Sequence, residues 1–306
     1  MSTAVSIIIP TYNRLWSLPK TIASCKQNTV KVEVIVIDDG STDGTWEWLQ
    51  SQTDIIAIKQ QNLGKCWAVN KGFNIASGEY VRFLDSDDML ADNANDEQYH
   101  IARQTDADIV TAGYKTIDIN DKTIGETKWT YCDDFIAQQL GECDGSHYSA
   151  FIFKKSFLAD IPHRPDFAFR DDRLFILEVA LKDPIIGIYD KPVLLHRIHS
   201  NERLQVTGDI KASVQNYQHY LIYKRILTEL EMTGRLTDRY KKASVNTLWH
   251  LAHWMAKSHI ADAHTIYKWV YELDPQFVSA ENKLLASLYK NLGFVVTERL
   301  LKLKKG

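Results

Sequence analysis

The sequence has no C-x-x-C pair, no cysteine–histidine cluster at zinc spacing and no low-complexity tract. Only four cysteines occur in 306 residues: Cys25, Cys66, Cys132 and Cys143. Without close pairing they read as reduced thiols of a cytosolic protein, not as a disulfide scaffold. A membrane-spanning helix needs roughly 18 consecutive apolar residues, and no run approaches that. Met1–Pro10 lacks a positive stretch and reads as a strand, not as a signal peptide. The net charge is only −3, so no field of Lys and Arg suggests a nucleic-acid partner. No G-x-G-x-x-G follows the first apolar run, which removes the dinucleotide-binding fingerprint.

What is present is an alternation. Val5–Ile9 is a β-branched apolar run and reads as a buried strand. Val32–Ile37, Ile55–Ile58, Tyr80–Leu84 and Ile109–Tyr114 read as further strands. Helical spacing falls between them, over Leu15–Lys26, Thr42–Gln50, Gly64–Ala76 and Asn95–Arg103. Strand and helix in turn predict a Rossmann-like α/β fold, a mostly parallel sheet with helices on both faces. The middle is less regular, with a helix over Asp171–Lys182 and two short strands near Ile185–Tyr189 and Val193–His196. Beyond about Asp209 no strand is evident, and the apolar spacing predicts four or five helices, broken at Gly234 and Asp274-Pro275.

Three strands end in polar residues: Pro10-Thr11-Tyr12-Asn13-Arg14, Asp38-Asp39, and Asp85-Ser86-Asp87-Asp88. In a parallel sheet these ends face one crevice, where ligands bind. Two carboxylates spaced as Asp85 and Asp87 repel each other unless a cation sits close by. A hard divalent ion takes oxygen ligands and completes its shell with substrate phosphates. The same acids would also suit the cap of a following helix, and the triplet alone does not separate the two readings.

The motifs as a set resemble family 2 glycosyltransferases of the GT-A fold. They are Ser6–Arg14, Val34–Asp43, Asn62-Leu63-Gly64 and Gly78–Asp88, in that order. The resemblance is strong over roughly the first 90 residues, fainter over Ala150–Asn201, and absent from the helical tail. It implies a GT-A domain over 1–205, split into a nucleotide-sugar half (1–115) and an acceptor-side half (116–205), with a helical region over 206–306. It implies that Pro10, Thr11, Tyr12, Arg14, Asp39, Lys65, Asp85 and Ser86 line the donor. Asp39 would accept from a base ring N–H, which suits uracil or thymine and disfavours cytosine, and Asp85 would face the ribose. Asp87 would bind a divalent metal, Mn²⁺ or Mg²⁺, with His199 of His196-Arg197-Ile198-His199 as a second ligand. The acidic pair Asp171-Asp172 would supply the base, assigned to Asp172. Here the family usually has Glu-Asp, and His196 stands where an aromatic is usual.

The implied activity is inverting transfer of one sugar from a nucleotide diphosphate sugar to a glycan or lipid-linked acceptor, in surface polysaccharide synthesis. No Gln-x-x-Arg-Trp segment of the processive members is present. A non-catalytic sugar-binding homologue and a haloacid dehalogenase-type phosphatase are the competing classes. Phe83-Leu84-Asp85-Ser86-Asp87 resembles the phosphatase nucleophile strand, but three strands precede it and Met89 follows. The segment Leu284–Lys305 carries an apolar stripe with a basic end. It suits either a core-facing helix or peripheral contact with the inner face of the cell membrane. The sequence is silent on oligomeric state.

Overall fold

The computed structural model describes residues 2–199, 209–278 and 283–303. The chain forms two compact units, Met1–Tyr131 with Asp144–Asn201, and Cys132–Cys143 with Glu202–Gly306.

In the first unit the chain runs β1 (Val5–Thr11), α1 (Leu18–Ser24), β2 (Val32–Asp38), α2 (Thr45–Gln50), β3 (Ile56–Lys59), α3 (Lys65–Ile75) and β4 (Tyr80–Phe83). It continues through β5 (Met89–Leu90), α4 (Ala94–Thr105), β6 (Ile109–Ile117) and β7 (Thr123–Thr127). The excursion to the second unit carries α5 (Phe135–Leu140), and the return gives β8 (Ile152–Lys154), α6 (Asp171–Ala180) and β9 (Ile186–Arg197). The sheet order is β3-β2-β1-β4-β8-β6-β9-β5, with β7 beside β6.

All seven residues of β1 are buried, as expected of a parallel strand covered on both faces. β1 pairs in parallel with β2 on one side and β4 on the other. Strand order therefore reverses beside β1, the kind of place where open α/β sheets bind ligands. Pro10 sits inside this central strand, where its missing N–H would normally break a ladder. It is tolerated because the β1–β4 ladder already stops at Ile8↔Phe83, and the parting of the two strands opens the crevice.

The parallel sheet expected from the sequence holds for β3-β2-β1-β4 and for β6–β9. β8 runs antiparallel to β4 and β6, β7 to β6, and β5 to β9, so the second half is mixed. The two short strands expected over 185–196 are one strand, β9. The break at Asp190-Lys191-Pro192 is absorbed as register shifts opposite Thr111–Tyr114. The helix expected from Thr42 begins at Thr45, because the Asp43 carboxylate accepts from Thr45 N at 3.0 Å and Gly44 takes φ 91°.

Arg82 on β4 is wholly buried and has no carboxylate partner among the described residues. Its guanidinium donates to Asn95 Oδ1 and Ser149 O, both at 3.0 Å, and to Gln98 Oε1. These bonds fasten β4, α4 and the turn before β8.

In the second unit α7 (Asp209–Met232), α8 (Asp238–Ala256), α9 (Ile260–Leu273) and α10 (Lys283–Leu303) pack around Leu248, Trp249, Leu251, Ile266 and Val270. Gly234 lies beyond α7 at φ 69°, and Gly293 at φ 77° kinks α10. The sequence pattern leaves Cys132–Cys143 in the first domain, but the segment groups with the helices. Arg239 of α8 grips Asp133 (2.5 Å) and Glu142 (2.8 Å), and Tyr223 Oη donates to Leu140 O at 2.9 Å.

Arg82→Leu would leave three acceptors unpaired, at about 1–3 kcal/mol each before relaxation. A net loss of about 3 kcal/mol in unfolding free energy is expected, read from the urea midpoint. A loss well under 1 kcal/mol would show that the network does not hold β4.

Candidate active site

The first strand end forms a cradle around Asp39. Its backbone N–H donates to Thr11 O at 2.8 Å. Its buried carboxylate accepts from Gln60 Nε2 (2.8 Å) and Leu63 N (2.9 Å) on one oxygen, and from Gly64 N (2.8 Å) on the other. A carboxylate has about four acceptor positions, so one remains for a ligand N–H. The Asn62-Leu63-Gly64 motif thus orients Asp39. Asp38 is wholly buried and faces Ser41 N at 3.3 Å, with burial pushing its pKa up. That is a turn-holding acid. Beside them the Thr11 hydroxyl is buried with no hydrogen-bond partner among the described residues, a deficit that a polar ligand would remove. Tyr12 leaves its ring 43% exposed.

The second strand end is held from two sides. Ser86 O accepts from Ser17 Oγ (2.9 Å) and Thr21 Oγ1 (3.1 Å) at the start of α1. From the other side, β5 pairs with β9 through Met89↔Leu195. This register sets Asp88 opposite His196, and Arg197 N donates to Asp88 Oδ1 at 2.8 Å while Arg197 Nε donates to Asp87 O at 3.0 Å. The two polar motifs, more than a hundred residues apart, are thereby zipped together.

Asp85 and Asp87 point to different partners. Lys65 Nζ, from the first turn of α3, lies 2.5 Å from Asp85 Oδ1. Burial alone would raise the Asp85 pKa, but Lys65, with help from His147 and His196, brings it down to about 2. Burial likewise works against the Lys65 charge, and Asp85, Asp172 and Asp171 together hold its pKa above the ordinary lysine value. Lys65 therefore links the acid at the strand end with the acids that open α6.

Asp87 Oδ2 lies 2.9 Å from His199 Nε2 and 3.7 Å from Arg14 Nε. Trp16 presses edge-on against the buried His199 ring at 4.8 Å. Two ligands about 2.1 Å from one octahedral ion, at right angles, lie about 3 Å apart, so this pair fits neighbouring positions on one Mg²⁺ or Mn²⁺. A second possible ligand group is Asp88, His147 and His196, whose ligand atoms lie within 4.8 Å of one another. There Ser149 N donates to His147 Nδ1 at 3.2 Å, which places the proton of neutral His147 on Nε2 and makes it a donor. Asp87 and His199 therefore offer the simpler ligand pair. The motifs assign no role to Asp88 or His147: Asp88 sits within Gly78–Asp88, and His147 lies in the irregular middle.

The acidic pair opening α6 divides in the same way. Asp171 is buried, with one oxygen on Arg164 N (2.6 Å) and the other on His163 Nδ1. His163 is in turn stacked on Phe175 at 4.3 Å. Asp172 is half-buried and accepts from Arg173 N at 2.8 Å. Asp171 is thus an anchor, while Asp172 keeps acceptor capacity on the crevice side that it shares with Lys65.

A sheet of this order, with an acidic crevice at the reversal of its strands, defines the class as a GT-A glycosyltransferase. Residues 6–161 match the model of Glycosyl transferase family 2, and the chain belongs to that family. Glycosyltransferase GlyG of Streptococcus pneumoniae is 31% identical over 131 residues, 40% of this chain and 42% of that protein. Poly(ribitol-phosphate) beta-N-acetylglucosaminyltransferase TarP of Staphylococcus aureus is 26% identical over 257 residues, 77% of each chain. The chain therefore spans less than half of GlyG but most of TarP. The S. aureus TarS 1–349 structure in complex with UDP-GlcNAc superposes with a TM-score of 0.61 at 16% identity, covering 98% of this chain and 90% of that one. That likeness concerns the fold. No described helix is long and apolar enough to cross a membrane.

Asp171→Ala is expected to lower stability by about 2–3 kcal/mol, because it strands the buried His163 and the Arg164 N–H. Asp172→Asn should stay within about 0.5 kcal/mol of wild type. Paired urea titrations check both, and equal losses would overturn the division between anchor and available acid.

Proposed function

We propose that this chain is an inverting glycosyltransferase. It moves one sugar from a UDP-sugar to a hydroxyl of a glycan or lipid-linked acceptor in cell-surface polysaccharide synthesis. The carrying observation is the saturation pattern of the crevice acids. Asp39 keeps one acceptor position, Asp87 faces His199, and Asp172 lies across from them beside Lys65. A ring N–H, as in uracil, matches the remaining position on Asp39. Tyr12 would lie along the base, with Pro10 and Thr11 forming the floor beneath it and Asp85 facing the ribose. The names of TarP and of the TarS complex favour an N-acetylhexosaminyl donor.

Asp87 and His199 would hold a divalent ion, which when bound neutralises charge on the departing diphosphate. Arg14 and Lys65 add positive charge on the same side. Ser86 contributes through its backbone, keeping the two acids of the triplet at fixed spacing. Asp172, held at the N-terminus of α6, would take the proton of the acceptor hydroxyl as it attacks the anomeric carbon. Displacement from the face opposite the diphosphate inverts the configuration.

A donor panel with Mn²⁺, reading released UDP, tests the reading. Asp87→Ala should abolish metal-dependent release. Asp172→Asn should cut turnover by roughly 10²- to 10⁴-fold while UDP affinity survives. Unchanged turnover in Asp172→Asn would remove it as the base, and no UDP release from any donor by wild type would remove the activity.

A further inference from the structure

The apolar stripe of the last helix is not absorbed by sugar transfer. Beyond the kink at Gly293, α10 buries Phe294, Thr297 and Glu298 against its own unit. Its other face leaves Val296 (47%), Leu300 (45%) and Leu303 (79%) exposed. These positions recur every three or four residues and so form one line along the helix. The end of α8 borders the same end of α10, since Lys302 Nζ donates to Lys257 O at 3.0 Å. Close to that contact in sequence, Trp254 on α8 is 44% exposed.

The charge of this segment of the sequence has one sign. From residue 283 onward the cations are Lys283, Lys290, Arg299, Lys302, Lys304 and Lys305, and the sole acid is Glu298. Glu298 is buried and bonded to His253 Nδ1 (2.7 Å) and Tyr289 Oη (2.6 Å), so it does not offset them at the surface. The whole chain nevertheless carries a net charge of −3, which makes this basic segment a local feature. A second copy packed on the stripe would bring cations against cations, a like-charge juxtaposition that disfavours self-association. An apolar line flanked by cations matches a surface with acyl chains below and anionic headgroups above.

We propose that the Val296–Leu300–Leu303 face of α10, with Arg299 and Lys302 beside it, docks on an anionic lipid surface. Binding is peripheral: the apolar side chains enter the headgroup boundary and the cations stay at headgroup level.

The test is flotation of the full chain with phosphatidylcholine vesicles, with and without phosphatidylglycerol. It reads membrane binding directly and does not depend on sugar transfer. Wild type should float with the anionic vesicles and much less with the neutral ones. Val296→Glu with Leu300→Glu, both on the exposed face, should lose at least about tenfold in partitioning with an unchanged thermal melt. Arg299→Ser with Lys302→Ser leaves the apolar line intact and should abolish the preference for anionic vesicles. Wild type that stays unbound, or a double glutamate variant that floats as wild type does, overturns the proposal. So does a dimer in sedimentation that the glutamate substitutions dissociate while vesicles remain unbound, which assigns the face to a second copy.

Discussion

Asp38, Asp39, Asp85, Asp87, Asp88, Asp171 and Asp172 crowd the strand-end crevice and the helix start beside it, and their mutual repulsion is what the surrounding architecture must answer. Four of them are answered internally. Asp38 faces the Ser41 N–H, Asp39 takes three donors, Asp88 takes the Arg197 N–H beside His196, and Asp171 takes the Arg164 N–H with His163. Asp85, Asp87 and Asp172 are answered by side chains that a ligand can rearrange: Lys65, and His199 with Arg14. The fold thus separates acids held by fixed donors from acids whose partners a ligand can exchange. A polar partner costs less to exchange at a half-buried position than at a fully buried one, where a lost bond leaves an unsatisfied group.

This division explains what could be seen from the chain alone. The buried strands β1, β2 and β4 were legible because a parallel strand covered on both faces must be an apolar run, and the acids at their ends follow at once. The preference for Asp39 over Asp38 and for Asp172 over Asp171 came from family resemblance. Its physical basis lies with donors elsewhere in the sequence: Gln60, Leu63 and Gly64 for Asp39, and His163 and Arg164 for Asp171. No local pattern announces such donors, since a backbone N–H looks the same at every position. β5 is two residues long and β8 three, too short for any periodicity. Yet β5 sets the register that brings Asp88 to His196 and Asp87 to His199. Arg82 was equally hidden: an arginine between valine and phenylalanine reads as the polar face of a strand, and its burial follows only from Asn95, Gln98 and Ser149.

The helical unit applies the same rule to a different end. Glu298 stands among leucines and valines on α10, and a buried carboxylate is expensive unless it is bonded. His253 and Tyr289 supply those bonds, which fixes the rotation of the helix about its axis. With Glu298 turned inward, Val296, Leu300 and Leu303 cannot also face the core, because a helix offers the core only one stripe. Turning the helix to bury those side chains would bring Glu298 to solvent and strand its partners on α8 and on the turn before the kink. The exposed apolar line is therefore the consequence of one satisfied buried acid, and not an unfinished packing of the helix.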